Sequence, residues 1–168
     1  MIEKIISGGQ TGADIAGLIA AKKFGIKTGG WMPNGFLTQC GPRPEWAKEY
    51  DLEEHDSYRY TPRTYANVRD SDATIRLAFD LNSAGEICTL KAIHQYKKPH
   101  IDVDLASPRS VEEVAKFIAM HNIKVLNVAG NSELTYNGIC GEVIEYLTKL
   151  FEHLGFTNGH GQGKGNTD

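Results

Sequence analysis

The chain predicts an α/β fold of three layers: a mostly parallel sheet with helices on both faces. Three observations carry this. Short apolar runs without clean alternation recur along the chain, as strands buried on both faces do. Helical stretches separate them. Glycine and small polar residues crowd the strand-to-helix turns, most of all in SGGQTGAD at 7–14. Strand–helix alternation brings right-handed crossovers and hence parallel pairing.

Taken in order, "IEKIIS" (2–7) reads as a buried strand and 12–24 as a helix closed by Gly25. "IKTGGW" (26–31) is a second, short strand, and 32–60 reads as irregular, rich in Pro, Gly and charge. Thr61 as N-cap and Pro62 as first helical residue start the next helix. "ATIRLAF" (73–79) is a strand, followed by the helix "SAGEICTLKAIHQYKK", which Pro99 stops. "HIDVDL" (100–105) is a strand, and Ser110 with Glu113 forms a capping box for the helix after it. "IKVLNVAG" (123–130) is the most apolar strand, and "GICGEVIEYLTKLFEHLG" the last helix. One domain over 1–154 and a flexible tail over 155–168 are expected; the histidines His153 and His160 read as incidental to any metal.

Bulk properties narrow the function. With 168 residues, 23% charged and 40% hydrophobic, the chain has the composition of a soluble globular domain. A formal charge of -3 without a basic block argues against nucleic acid as a partner. No apolar stretch is long enough to span a bilayer and the start lacks signal-peptide character, so no membrane partner and a cytoplasmic location are expected. Cys40, Cys88 and Cys140 are odd in number and lack metal spacing, so neither a structural disulfide nor a metal site is expected.

The glycine loop fits neither common phosphate loop. Gly9 and Gly12 match two positions of the dinucleotide motif, but Ser7 replaces its first glycine. Strand two ends in "TGGW", without the acidic residue that would hold a ribose. Ala13-Asp14 stands where a Walker loop has Lys-Ser/Thr. Gly8 and Gly9 allow close backbone approach, and the N–H groups of Gln10 to Ala13 at a helix start favour an anion. Thr11 adds a hydroxyl. Asp14 in the first turn either complements the helix dipole or hydrogen-bonds a ligand or a neighbouring loop.

In open parallel sheets ligands bind beyond the carboxyl ends of the strands. Gly30 and Trp31 end strand two, with Trp31 a candidate to stack on a flat ring or to pack in the core. Ser83, Gly85 and Glu86 follow "ATIRLAF", and Asn131, Ser132 and Gly138 follow the last strand. Three helix starts are therefore expected to converge on one crevice. In "NVRDSDAT", Asn67, Asp70 and Asp72 either cap and fix turns or form a polar wall of that crevice. One of Arg63 and Arg69 is a candidate for a phosphate, and Arg76, inside a strand, needs a partner, a solvated edge or an interface.

The segments SGGQTGAD, GGWMPNG, GPRPEW, RTYANVRDSDAT, KKPHIDVD and VLNVAGNSE…NGI resemble, in order through nearly the whole chain, the family called putative molybdenum carrier proteins. That family is similar to a wider Rossmann-like group. The group includes the cytokinin-activating, lysine-decarboxylase-like proteins and the molybdenum-cofactor carrier proteins of algae and bacteria. The resemblance implies a Rossmann-like three-layer fold, a crevice for a phosphorylated pterin or nucleotide-like ligand, and a dimer or tetramer. The chain departs from the related phosphoribohydrolases, whose P-G-G-x-G-T-x-x-E carries a catalytic Glu. Here the stretch is Asn82-Ser83-Ala84-Gly85-Glu86-Ile87-Cys88-Thr89, with Thr89 at the Glu position. Glu86 is displaced by about 60° around the helix, since three residues turn it through roughly 300°. Within the resembled family the residue after this glycine is usually Thr, so Glu86 adds negative charge at the expected anion site.

The expected function is therefore a carrier or binding protein without a catalytic residue. It holds the molybdenum cofactor or a nucleotide through Gly8, Gly9, Gln10, Thr11, Gly12, Asp14, Gly30, Trp31, Asn67, Asp70, Ser83, Gly85, Glu86, Asn131 and Gly138. Alternatives are a nucleotide-processing hydrolase with Glu86 or Asp14 as acid/base, and a nucleotide-sensing module.

Overall fold

The structure is a computed structural model that describes residues 1–159. Its strands are β1 (Lys4–Ile6), β2 (Lys27–Met32), β3 (Leu37–Thr38), β4 (Gly41–Pro42), β5 (Leu52–Glu54), β6 (Ala73–Ala78), β7 (His100–Asp104) and β8 (Val125–Gly130). Its helices are α1 (Ala13–Lys23), α2 (Pro44–Tyr50), α3 (Tyr60–Asp70), α4 (Ala84–Tyr96), α5 (Val111–Met120) and α6 (Ile139–His153), with a 3₁₀ turn at Asn34–Phe36. Six strands form one parallel sheet in the order β5-β2-β1-β8-β6-β7. β3 and β4 form a separate antiparallel pair.

The last strand, β8, lies in the middle of the sheet, between β1 and β6. Chain order therefore reverses at the centre, and the carboxyl ends of β1, β8 and β6 stand side by side at a switch point. α1, α5 and α6 pack together on one face; α3 and α4 pack together on the other. The main core joins Ile5, Ile75, Leu126 and Val128 of the sheet to Ala16, Ala20, Leu147 and Phe151 of the helices. α1 is buried nearly all round, which is why it is rich in alanine and shows no polar face. At Gly17 a Cβ would press into Val128, so this glycine sets how closely α1 approaches the sheet.

The three-layer Rossmann-like architecture expected from the sequence is present, and all five predicted strands exist. The irregular stretch 32–60 hides more structure than its composition suggests. β5 is an edge strand of three residues, two of them exposed, and so carries no periodic signal. α2 starts on Pro44 and buries Tyr50 in a second core with Ile15, Leu18, Met32 and Leu52. α3 begins one residue before Thr61, with Arg59 as N-cap and no side-chain cap. Pro62 is then the third helical residue, still within the turn whose N–H groups lack intrahelical acceptors, so it does no harm. Ser110 does cap α5, accepting from Glu113 N at 3.3 Å. Phe156, expected in the tail, packs edge-on against Phe151 with ring centroids 6.2 Å apart. The rest of that tail from 160 on, with His160, lies outside the described residues.

Candidate functional site

A cavity of about 400 Å³ opens beyond the carboxyl ends of β1, β8 and β6, between α3 and α4. It takes in Gly8, Gln10, Asp14, Asn67, Ser83, Gly85, Glu86 and Asn131, eight of the residues expected from the sequence. Gly9, Thr11, Gly12, Gly30, Trp31, Asp70 and Gly138 are not among its lining.

The glycine loop is closed on itself. Gln10 N donates to Asp14 Oδ2 at 3.2 Å, Thr11 N to Gln10 Oε1 at 3.0 Å, and Ala13 N to Asn131 O at 3.1 Å. Three of the four N–H groups expected as a cradle over Gln10 to Ala13 are thus occupied by the protein's own acceptors, and Gly12, which carries the fourth, does not line the cavity. Ser7 explains the failed motif: its hydroxyl, fully buried, donates to Asp14 O at 2.9 Å and accepts from Gly9 N at 3.3 Å. Gly12, at φ 87°, lies where a Cβ would collide with the backbone of Asn131, Ser132 and Glu133. Gly30 serves the same purpose against Ser7, just past the end of β1. Both glycines allow two backbones to touch.

The start of α6 is closed too. Gly138 N donates to Glu133 Oε1, and Cys140 N donates to Glu133 Oε2 at 3.0 Å. Convergence of three helix starts therefore reduces to one. At α4, Ser83 Oγ accepts from Glu86 N at 3.4 Å, but Ala84 N and Gly85 N have no acceptor among the described residues. Both residues line the cavity, and the space around Gly85 is open.

Two expected ligand contacts hold the frame. Asn131 Oδ1 accepts from Phe79 N and Asp80 N at 2.9 and 3.0 Å, and its amide nitrogen donates to Asp80 O and Ser83 Oγ. It ties the end of β8 to the turn that aims α4. Asn67 pairs both ways with the backbone of Trp31, at 2.9 and 3.0 Å, and fastens α3 to β2. Asp72 fixes a turn, accepting from Lys124 N and Val125 N. Trp31 lines a different depression, with His55 and Arg69. There the indole Nε1 donates to Asp70 Oδ2 at 2.8 Å, away from the crevice. Arg69 and that indole hold the Asp70 carboxyl below its usual range.

Charge inside the cavity is unusual. Arg63 reaches over Gly8, where any side chain would displace it, and stands 3.7 Å from Asp14. Its guanidinium is mostly buried, and Nε has no partner. Burial pushes the Asp14 carboxyl up, against the pull of Arg63. Glu86 is 2% exposed, and its Oε2 has no hydrogen-bond partner. Burial pushes its carboxyl to about 8; Arg76 opposes the rise, and Asp14, Asp102 and Asp80 add to it. Arg76, the arginine inside a strand, has found its partner: Asp102 on β7 holds it by two bonds of 2.8 and 2.6 Å.

Glu86 gives stability a definite pH dependence. Its carboxyl is neutral in the fold up to about pH 8, whereas its ordinary value is 4.5. The stability it contributes is complete below the ordinary value and is lost as pH rises through the window up to the folded one. Urea unfolding across that window is expected to show falling stability, and Glu86→Gln a flatter profile. An equally steep profile in Glu86→Gln would contradict the assignment.

The start of α4 was one of the three helix starts expected from the sequence, and Arg63 one of two arginines offered for a phosphate; that these two line the same cavity was not legible. Arg63 is separated from Asp14 by four strands, β2 to β5, and its only signal was a cation on the helix before a buried strand. Gln39, Tyr60, Thr61, Thr64 and Thr135 also line the cavity and carry no motif. Among the described residues no group of three or more His, Cys, Asp or Glu is placed to hold a metal ion. No described helix is long and apolar enough to cross a membrane.

Comparison with known proteins places the fold and the family. A crystal structure from Syntrophus aciditrophicus SB, described as a "putative molybdenum carrier protein", is 39% identical; the match covers 89% of this chain and 94% of that one, with a TM-score of 0.80. No curated protein matches the chain. Residues 5–151, which span every strand but the first residue of β1 and include the whole crevice, match the circularly permutated YpsA SLOG family, and the chain belongs to that family.

Proposed function

We propose that the protein is a carrier that holds a phosphorylated, pterin- or nucleotide-like ligand in the crevice between α3 and α4. The relative's description names molybdenum as cargo, and the molybdenum cofactor is the phosphorylated pterin form of it that would suit this crevice. The observation that carries the reading is the open start of α4 beside Arg63. Two unpaired N–H groups at the positive end of a helix and a mostly buried guanidinium line one cavity, an arrangement suited to a phosphate. The cavity is of the size that small-molecule sites commonly have, roughly 300–1,000 Å³. Ser83 and Thr61 add hydroxyls, and the mouth beyond them leaves room for a ring system. Arg63, Ala84 and Gly85 would bind and orient the phosphate of the cargo; the metal chemistry would be the cargo's own.

Native mass spectrometry of the protein taken straight from cells tests this. A retained mass that fragments to a phosphorylated pterin or nucleotide is the expected result. No retained mass, together with no thermal shift from nucleoside monophosphates, pterin phosphates or molybdate, would overturn it.

A second reading has one observation in its favour. Glu86 keeps its proton near neutral pH and borders the cavity, as a general acid for N-glycoside hydrolysis would. Release of free base from nucleoside monophosphates, lost in Glu86→Gln, would support it; no release would leave the carrier reading alone.

A further inference from the structure

The glycine loop spends most of its polar atoms on itself, but two of its side chains keep one group open. Gln10 Oε1 accepts from Thr11 N and Gln39 N, at 3.0 and 2.9 Å. Those bonds fix which end of the amide is oxygen, so the Nε2 group is a donor, and it has no acceptor among the described residues. Asp14 Oδ2 accepts from Gln10 N at 3.2 Å and stands 3.7 Å from Arg63, whereas Asp14 Oδ1 has no partner among the described residues. Both residues line the cavity and are more than nine-tenths buried, yet neither open atom is sealed off as Arg63 Nε and Glu86 Oε2 are. Buried polar groups of this kind are rarely left unpaired. Resting on the phosphate-site reading above, we propose that Gln10 and Asp14 form a second subsite of the crevice, which binds a vicinal diol close to the ligand's phosphate, so that the ligand class is a ribonucleotide rather than a pterin phosphate without a diol.

Arg63 sets the subsite beside the anion. Its Nη1 is spent on Thr64 Oγ1 at 2.9 Å and faces Asp14, and its Nε is sealed, so Nη2 is the donor left for a phosphate. Phosphate and Asp14 then flank one guanidinium. A second anionic group is repelled from Asp14, so the group that meets it is neutral. A hydroxyl both donates and accepts, and a vicinal pair serves Asp14 Oδ1 and Gln10 Nε2 together. In a ribonucleotide the sugar hydroxyls stand close to the phosphate and the ring stands farther off. Tyr60, half-exposed, is the aromatic side chain of the cavity lining, and its ring lies 5.5 Å from the Arg63 guanidinium, where it can stack on that ring. The glycine loop then serves the ligand through two side chains rather than through its backbone.

Titration calorimetry of the full chain tests this with adenosine and guanosine monophosphates, their 2′,3′-dideoxy forms, a pterin phosphate without a diol, and inorganic phosphate. The ribonucleotides are expected to bind at least roughly tenfold tighter than the dideoxy forms, because loss of the diol leaves buried polar groups unpaired. Asp14→Asn, shown folded by its urea transition, keeps an oxygen for Gln10 N and puts an amide nitrogen in the open place. It is expected to narrow the preference for the ribonucleotides several-fold while the dideoxy forms bind much as before. A merely structural role would weaken both forms alike and keep the preference, which would overturn the inference. Equal binding of ribo and dideoxy forms by the wild-type chain, or tighter binding of the pterin phosphate, would overturn it while leaving the phosphate site standing. Binding of inorganic phosphate alone would do the same. Binding of none of these compounds would overturn the phosphate-site reading itself.

Discussion

Replacing Arg76 with methionine is expected to destabilise the protein by about 3–5 kcal/mol, the range found when one partner of a buried ion pair is removed. Arg76 sits at the centre of β6 with 4% of its side chain exposed. It holds Asp102 by two short bonds and donates to the backbone oxygens of Glu86 and Leu81. Its loss leaves Asp102 unpaired and removes the tie between β6 and the first turn of α4. The effect belongs at the low end of that range for two reasons. Asp102 is 29% exposed and recovers some hydration, and Glu86 is already neutral near pH 7. Equilibrium unfolding in urea measures the loss. For a chain of this length it corresponds to a fall in melting temperature of roughly 2–4 °C per kcal/mol. Adding Asp102→Leu to the variant is expected to restore most of the stability, since well-packed apolar groups often replace a buried pair at little cost. A single-variant loss under about 1 kcal/mol would show that Arg76 is not the clamp described here.

Gly12→Ala is expected to cost at least about 3 kcal/mol, combining backbone strain with forced displacement of a packed neighbour. At φ 87° a side chain is strained before any contact is counted, and the added Cβ meets the 131–133 backbone, which has no free end to swing aside. Low soluble yield or a much earlier urea transition is the expected readout. Gly85→Asp is the counterpart. Nothing lies within 4 Å of a Cβ there, and a carboxylate in the first turn of α4 suits the helix dipole. Its stability is expected to stay within about 0.5 kcal/mol of wild type while oxyanion binding is lost, because the carboxylate occupies the open end of the helix. A Gly12→Ala protein of normal stability that lost only ligand binding would return the glycine loop to the ligand.

These two glycines show where sequence was a sound guide and where it was not. The strand-to-helix order, the switch point and the location of a crevice all follow from apolar runs and the residues that punctuate them. Gly12 announces a close approach, but not what approaches. The partner is Asn131, far along the chain, brought beside β1 only because β8 inserts at the centre of the sheet. The N–H groups of the loop looked available because Gln10 and Asp14 look like surface residues; folded, their side chains turn back and accept from Thr11 N and Gln10 N. Glu133 closes α6 through contacts five and seven residues away, a local cap that its spacing does not advertise. Trp31 ends a strand near the crevice, but its side chain leaves on the other side to meet Asp70. Glu86, by contrast, stood out as a misplaced charge in the sequence; in the fold it is buried, its Oε2 is 3.6 Å from Arg76 without a hydrogen bond, and burial keeps its carboxyl neutral up to about pH 8.

We place the ligand's anionic group at the start of α4, against Arg63, and away from the glycine loop. A crystal structure of the protein with its cellular ligand retained, or soaked with phosphate, tests this most directly. The account predicts density for an oxyanion within hydrogen-bond distance of the Arg63 guanidinium and of Ala84 N and Gly85 N. An oxyanion bound instead to the backbone of Gly9 to Gly12, or in the depression beside Trp31, would contradict it.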